Sequence, residues 1–391
     1  MKRLDIGKIP IYLWADEAEE GAMQQIKNLS LFPYAFHHIA IMPDCHEGYG
    51  MPIGGVLSTR GVIIPNAVGV DIGCGMCAMR TDLPEIDKKQ LSRILDKIKE
   101  IVPVGFEHQQ KKQDDKLMPK GYDLSQMPVV KREWEETLYQ LGTLGGGNHF
   151  IEVQKGSDGY IWVMIHSGSR NLGKQVADFY NKLAISINER EKSEVPKSHQ
   201  LAYLRIDSKE GRQYLREMQF CVEFAFSNRK LMMERIAGIF EKETGCGFLS
   251  WEGTPIINIA HNYAAEEEHF GCKVFVHRKG ATRAARGETG IIPGSQGKKS
   301  YIVKGKGNPD SFMSCSHGAG RRMGRNEARK KLNLEEERKK LESKGIIHAL
   351  RTPADLDEAS GAYKDIDSVM KQQADLVDIC VELQPLGVIK G

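Results

Sequence analysis

Strand-like and helix-like segments fall in blocks along this 391-residue chain, with no regular strand-helix repeat. That order favours an α+β architecture, with mixed β-sheets and surrounding helices, over a doubly wound parallel sheet. In PEIDKKQLSRILDKIKEI, residues 84–101, the apolar positions Ile86, Leu91, Ile94, Leu95, Ile98 and Ile101 recur mostly three or four apart, and the spacing predicts an amphipathic helix. A longer helix is expected over 210–243, stopped by the glycines of EKETGCG. A third is expected over 326–343, with Asn326 as N-cap and Gly345 beyond its end. Between them, GGVLSTRGVIIPNAVGVDIG, HFIEVQKGSDGYIWVMIHS, KVFVHR and KKSYIVKGKG carry β-branched runs punctuated by Gly, Asn and Asp, as strands and turns do. The polar stretch 107–128 lacks periodicity and reads as a mobile surface loop, either a solvated insertion or a lid facing a substrate.

Composition limits the partners. With 55 basic and 52 acidic residues the formal charge is only +3, so any anionic partner must be held by local clusters rather than by bulk charge. No run approaches the roughly 18 apolar residues of a membrane span, and the opening has no signal-peptide core, which together suggest a cytoplasmic protein. Eight cysteines are too few for a disulfide scaffold in a chain of this length and read as thiols or metal ligands.

The glycine-rich GVDIGCGM, residues 69–76, presents Asp71 and Cys74 three positions apart in a segment able to turn sharply. His149 in GGGNHF, His166 at the end of IWVMIHS, His261 in NIAHNY and His317 in SCSHGAGR occupy similar glycine-rich or strand-end contexts. A thiolate, imidazoles and a carboxylate form a mixed S/N/O set suited to Mn²⁺, Zn²⁺ or Fe²⁺ rather than to an all-oxygen magnesium or calcium cage. An anionic sulfur can bridge two cations, an arrangement suited to in-line displacement at phosphorus.

Two rival motifs overlap these residues. Cys74 and Cys77 form C-x-x-C, but the chain has no second such pair for a zinc ribbon, and the residues after it read as a strand where a redox motif needs a helix. Cys77 is therefore expected to be a buried small side chain, like Cys221, Cys246, Cys272 and Cys380, with Cys45 and Cys315 as weak metal candidates. GSRNLGK, residues 168–174, has the outline of a phosphate loop, yet Gln175 stands where a Mg²⁺-binding hydroxyl is required. HGAGR, residues 317–321, offers backbone N–H groups for an anion and an imidazole nucleophile for phosphorus. PGSQGKKSY, residues 293–301, adds Ser295 and Ser300 on another glycine turn.

Taken together, MPDCHEGYGMPIGG, GVDIGCGM, GGGNHF, HSGSR, HNY, HRKGATR, PGS, SCSHGAGR, AYKDI and the terminal KG resemble the RtcB family of RNA-splicing ligases, in family order from residue 42 to the C-terminus. The resemblance implies one compact domain, residues 1–391, of a fold peculiar to that family. It also implies GTP- and Mn²⁺-dependent joining of an RNA 2′,3′-cyclic phosphate or 3′-phosphate end to a 5′-hydroxyl end, in tRNA splicing or RNA repair. By the same likeness Cys74 bridges two Mn²⁺ ions, with Asp71 and His149 on one and His166 and His261 on the other, and His317 is the guanylylated nucleophile. Asn148, Phe150, Glu152, Ser295, Ser300, Tyr363 and Lys390 would hold the guanosine, and Gly318, Ala319 and Gly320 its phosphates. Asp44, His46, Arg170, Arg321 and Arg325 are candidates for the RNA ends, and an activating protein is a further partner the resemblance allows.

Gln296, Lys298 and Lys299 depart from the smaller or apolar residues expected in the PGS segment and bear on nucleotide preference. Two other functions compete with ligation: a metal-dependent cyclic phosphodiesterase that does not ligate, and a non-catalytic protein that binds RNA ends.

Overall fold

The computed structural model describes residues 1–391. The first expected helix forms over Lys88–Ile101 rather than from residue 84, because the Asp87 carboxylate accepts hydrogen bonds from the Lys89 and Gln90 amides and sets the N-terminus. It buries Leu91, Ile94, Leu95 and Ile98, at about 1.5–3 kcal/mol for each side chain removed from water. The long helix spans Lys209–Thr244, capped by Ser208 at one end and closed at the other by Gly245 in the left-handed conformation, φ 72°.

The third helix is corrected. It is two helices, Arg325–Lys331 and Leu334–Glu342, broken where the Asn333 side chain caps the amides of Glu335 and Glu336. Asn326 lies inside the first of these, whose N-cap is Gly324. The strand expected through 54–73 is also interrupted, since Pro65 starts a single helical turn over Pro65–Val68. The helices Glu20–Ser30 and Pro128–Gln140 carry weaker apolar stripes and have no sequence forecast. Segment 107–128 is anchored through buried Met118 and Met127 and through the Tyr122 hydroxyl, which donates to Glu223 at 2.7 Å.

Two sheets organise the molecule. One has six strands, in the order Lys2–Leu4, Ile11–Leu13, Ala35–Tyr49, Met51–Thr59, Cys272–Lys279, Asn262–His269, and is mixed through the parallel pairing of its second and third members. The other has eight strands and is antiparallel throughout. Its path runs from Phe248–Leu249 through Gly75–Thr81, Ile161–Ser167, Phe150–Gly156, Val377–Lys390 and Ser300–Gly305 to Thr289–Ile292, with Ile257–Ala260 also paired to Gly75–Thr81. Strands and helices thus form an α+β architecture. No helix is long and apolar enough to cross a membrane.

The chain crosses from one sheet to the other at a single residue. Ala260 pairs with Gly75 in the eight-stranded sheet and Asn262 pairs with Lys279 in the six-stranded one, which leaves His261 on the seam. The long helix packs behind this seam, against Gly75–Thr81, Ile161–Ser167 and Ile257–Ala260.

Candidate active site

The seam gathers the expected metal ligands. Cys74 ends a turn through Gly73, whose φ of 75° and whose missing Cβ, which would sit 2.9 Å from Val222 Cα, leave room for glycine alone. His149 immediately precedes the Phe150–Gly156 strand, His166 lies opposite Met76 and Phe150, and the His261 amide donates to the Cys74 carbonyl at 2.8 Å.

Their side chains form a continuous line. Asp71 Oδ2 is 3.1 Å from His149 Nε2, which is 3.4 Å from Cys74 Sγ. The sulfur is 3.2 Å from His166 Nε2, which is 3.4 Å from His261 Nε2. The His261 and His317 ring centroids are 4.8 Å apart. Carbonyl oxygens only accept, so His149 Nδ1, on Leu144 O at 3.0 Å, and His166 Nδ1, on Asn148 O at 3.1 Å, carry the ring protons. Both Nε2 lone pairs therefore point at the sulfur, and His261 Nδ1 is buried with no hydrogen-bond partner at all.

Convergent lone pairs of this kind repel one another unless cations lie among them, and the donor set fits borderline divalent ions. Burial pulls the His166 and His261 imidazoles well below their ordinary pKa and keeps them neutral, as ligands must be. Burial opposes ionisation of Asp71, but the adjoining His149 ring, the Cys74 thiol and the Arg170 guanidinium hold the carboxyl below the usual range. Burial, with the Asp71 carboxylate adding to it, pushes the Cys74 thiol well above its ordinary value, a preference that a bound cation reverses.

His317 follows the strand Ser314–Ser316, which pairs with Ala281–Arg283. Asp44, fully buried, accepts from His317 Nδ1 at 2.6 Å and from the His317 and Gly318 amides at 3.0 and 3.3 Å. With Nδ1 donating, Nε2 keeps a free lone pair. Of the HGAGR amides, Asp44 thus takes the first two, while those of Ala319 and Gly320 have no partner in the protein. The following helix starts only at Arg325.

His317 opens on a cleft of about 870 Å³. Asn148, Phe150, Glu152, Ser295, Gly318, Ala319, Gly320, Tyr363 and Lys390 all reach its walls. Ser300 does not: its hydroxyl sits behind the wall, accepting from the Gly294 amide and from Gln154 Nε2, both at 3.1 Å. Ser295 Oγ and both amide atoms of Gln296 are buried on the wall without partners, as expected of groups that await a polar ligand. Lys298 and Lys299 turn outward to Asp365, Asp367 and Glu382, so of the three departures only Gln296 faces the cleft. Burial raises the Glu152 carboxyl to about 8, against hydrogen bonding from Gln154 and the charge of Lys390.

His46, Arg321 and Arg325 also reach the cleft. Arg170 is tied to Thr143 Oγ1 and the Gly105 carbonyl at 2.8 and 2.9 Å. Sequence reasoning missed Glu358, a buried carboxylate that binds Arg321 at 3.2 Å, Arg325 at 3.5 Å and Lys390 at 3.7 Å and accepts from the Tyr363 hydroxyl. Its only sequence signal is an acid five residues before Tyr363.

The rival motifs resolve geometrically. Cys77 points into the apolar core beside Ile94 and Ile165, where burial raises its thiol to about 12. Cys45 and Cys315 lie in two other core clusters. In GSRNLGK the strand ends at Ser167 and the helix begins at Arg170, which leaves no loop to wrap a phosphate.

A buried row of sulfur, nitrogen and oxygen donors, ending on a histidine aligned by a carboxylate at the mouth of a nucleotide-sized cleft, is able to support metal-assisted chemistry at phosphorus. Residues 25–391 match the family model described as tRNA-splicing ligase RtcB, and the chain belongs to that family. It is 38% identical over 410 residues to an RNA-splicing ligase RtcB of Escherichia coli K12, covering 98% of this chain and 97% of that protein. It is 33% identical over 460 residues to a tRNA-splicing ligase RtcB of Nanoarchaeum equitans and 30% over 459 to one of Thermococcus kodakarensis, covering in each case 98% of this chain and 95% of the relative.

Proposed function

We propose that this protein is a GTP-dependent RNA ligase that joins 2′,3′-cyclic phosphate or 3′-phosphate ends to 5′-hydroxyl ends of cleaved RNA, tRNA among them, and that the whole chain acts as one catalytic domain. The observation that carries the reading is the unbroken row from Asp71 through Cys74 to His261, ending beside a His317 whose Nδ1 is committed to Asp44. In this reading Asp71, His149 and Cys74 would hold one divalent cation, and Cys74, His166 and His261 would hold a second, manganese by family resemblance. When bound, the cations neutralise phosphate oxygens and support the attacking and leaving oxygens.

The residues of the chain do the rest. Phe150, Glu152, Tyr363 and Lys390 orient guanosine in the cleft, and the free Ala319 and Gly320 amides face its phosphates. His317 Nε2 attacks the α-phosphorus of GTP: the N–P bond forms, the bond to the β-phosphate oxygen breaks, and pyrophosphate leaves. Asp44 stabilises the imidazolium that results. The guanylyl group passes to the RNA 3′-phosphate, and the 5′-hydroxyl then attacks that phosphorus and displaces GMP. Cyclic ends are first opened by water. Arg321 and Arg325 supply charge for the RNA backbone, without reading sequence.

Incubation with GTP, Mn²⁺ and RNAs of defined termini tests the reading. Joined product from 3′-phosphate and 5′-hydroxyl ends supports it. Cyclic-phosphate opening without joining supports the phosphodiesterase, and RNA binding without turnover supports the binding protein.

A further inference from the structure

Two consecutive residues of the long helix, Asn228 and Arg229, are fully buried and lie behind the cysteine and histidine row. Arg229 Nη1 donates to the Gly73 carbonyl at 2.9 Å and to the Ser167 carbonyl at 2.7 Å, the residues immediately before Cys74 and immediately after His166. Its Nε donates to Asn258 Oδ1 at 2.7 Å, three residues before His261.

Asn228 ties down the remaining segment. Its Oδ1 accepts from the Gly142 and Thr143 amides at 2.7 and 3.2 Å, and its Nδ2 lies 3.1–3.3 Å from the Thr143 and Gly168 carbonyls and the Ser167 hydroxyl. The Ser167 hydroxyl in turn donates to the Leu144 carbonyl, the same oxygen that fixes His149 Nδ1. Every segment that carries a candidate ligand therefore ends on this dipeptide.

No carboxylate hydrogen-bonds the Arg229 guanidinium, and its Nη2 has no partner. A buried charge without a counter-ion is costly. Arg229 Nη1 instead sits on the carbonyl next to Cys74, which places the positive charge at the turn that carries the sulfur.

We infer that Arg229, seconded by Asn228, is a positioning residue for the metal centre. It sets the distance between the Cys74 turn and the His166 strand end and supplies the fixed positive charge against which an anionic sulfur is held. This rests on the reading of the cluster as a metal site.

Cobalt titration of the metal-free full chain tests it, with the sulfur-to-cobalt charge-transfer absorption and bound cobalt per chain as readouts. Arg229→Lys keeps the charge but cannot reach both carbonyls and Asn258 with the same planar fork; Arg229→Met removes the charge. The expected result is cobalt affinity at least tenfold weaker in Arg229→Lys, with a shifted charge-transfer band, and weaker still in Arg229→Met. Arg278→Lys, at an equally buried arginine that is paired with Glu267 and makes no hydrogen bond to a residue adjoining Cys74 or His166, should melt earlier yet bind cobalt as the parent does. Wild-type affinity and spectrum in both Arg229 variants, with only a lower melting temperature, would overturn the inference; should Arg229→Met not fold, Arg229→Lys decides alone. Failure of the parent chain itself to bind cobalt through sulfur would instead remove the metal-site reading.

Discussion

Asp44 and His317 are 273 residues apart in sequence, yet the Asp44 carboxylate accepts a 2.6 Å hydrogen bond from His317 Nδ1 and a second from its backbone amide. One acid thereby fixes both the tautomer and the position of the imidazole. Burial resists ionisation of Asp44, but its contact with His317 holds the carboxyl below the usual range, so the carboxylate persists until pH falls through that depressed value.

Asp44→Asn keeps the shape of this contact and removes its charge. The His317 ring and the His317 and Gly318 amides all donate to the one oxygen Oδ2, where the Asn carbonyl still accepts, so the tautomer is kept but the imidazolium formed on guanylylation loses its counter-charge. The rate of guanylylation, followed with radiolabelled GTP, should fall by about 10²- to 10⁴-fold, while the melting temperature changes little. An unchanged rate would deny Asp44 this role.

Gly320 sits at φ 73°, and a Cβ there would lie 2.1 Å from the Asp44 carbonyl oxygen. Gly320→Ala must therefore push the HGAGR turn off Asp44. Left-handed strain and the clash should cost at least about 1–3 kcal/mol, and adduct formation should fall further than the melting temperature implies. Full activity in a stable variant would show that the turn can move.

The parts of this molecule legible in its sequence are those whose signal is local. Asp71, Cys74, His149 and His166 each stand at a glycine turn or strand end, and the Lys88–Ile101 and Lys209–Thr244 helices carry their own periodicity and stop signals. Asn333 before Leu-Glu-Glu-Glu was also a local N-cap signal, hidden because the apolar spacing runs on across it. What local pattern could not show are partnerships made only by folding. Asp44 reads as a residue for the RNA ends until the six-stranded sheet brings it under His317. Glu358 gains its place through three cations from two other segments, and Asn228 and Arg229 look like ordinary polar positions on a helix.

Cys74 lies within 3.4 Å of two imidazoles. Replacement by alanine leaves a small buried side chain in a turn that glycine shapes, so Cys74→Ala should fold. Metal analysis after dialysis against Mn²⁺ should find its metal lost and guanylylation gone with it. Unchanged metal content would remove the bridging role of the sulfur.

Glu152 gives a pH signature. Because burial raises its carboxyl to about 8, the folded protein holds a proton that the unfolded chain has lost. The stability this provides is complete below the ordinary carboxyl range and drains as pH rises towards 8. Melting curves should show the parent losing stability relative to Glu152→Gln over that interval. Guanine N–H groups favour the carboxylate, so GTP affinity of the parent should rise with pH towards 8. In Glu152→Gln it should be roughly tenfold to a hundredfold weaker and flat with pH. Parallel pH profiles for the two proteins would contradict the assignment.

The most direct measurement is the intact mass of the denatured full chain after incubation with GTP and Mn²⁺, with peptide mapping of the modified site. The expected result is the gain of one GMP on His317, acid-labile as a phosphoramidate is, absent from His317→Ala and discharged by RNA bearing a 3′-phosphate. A chain that ligates RNA with no covalent GMP, or that carries GMP on a residue other than His317, would contradict the account.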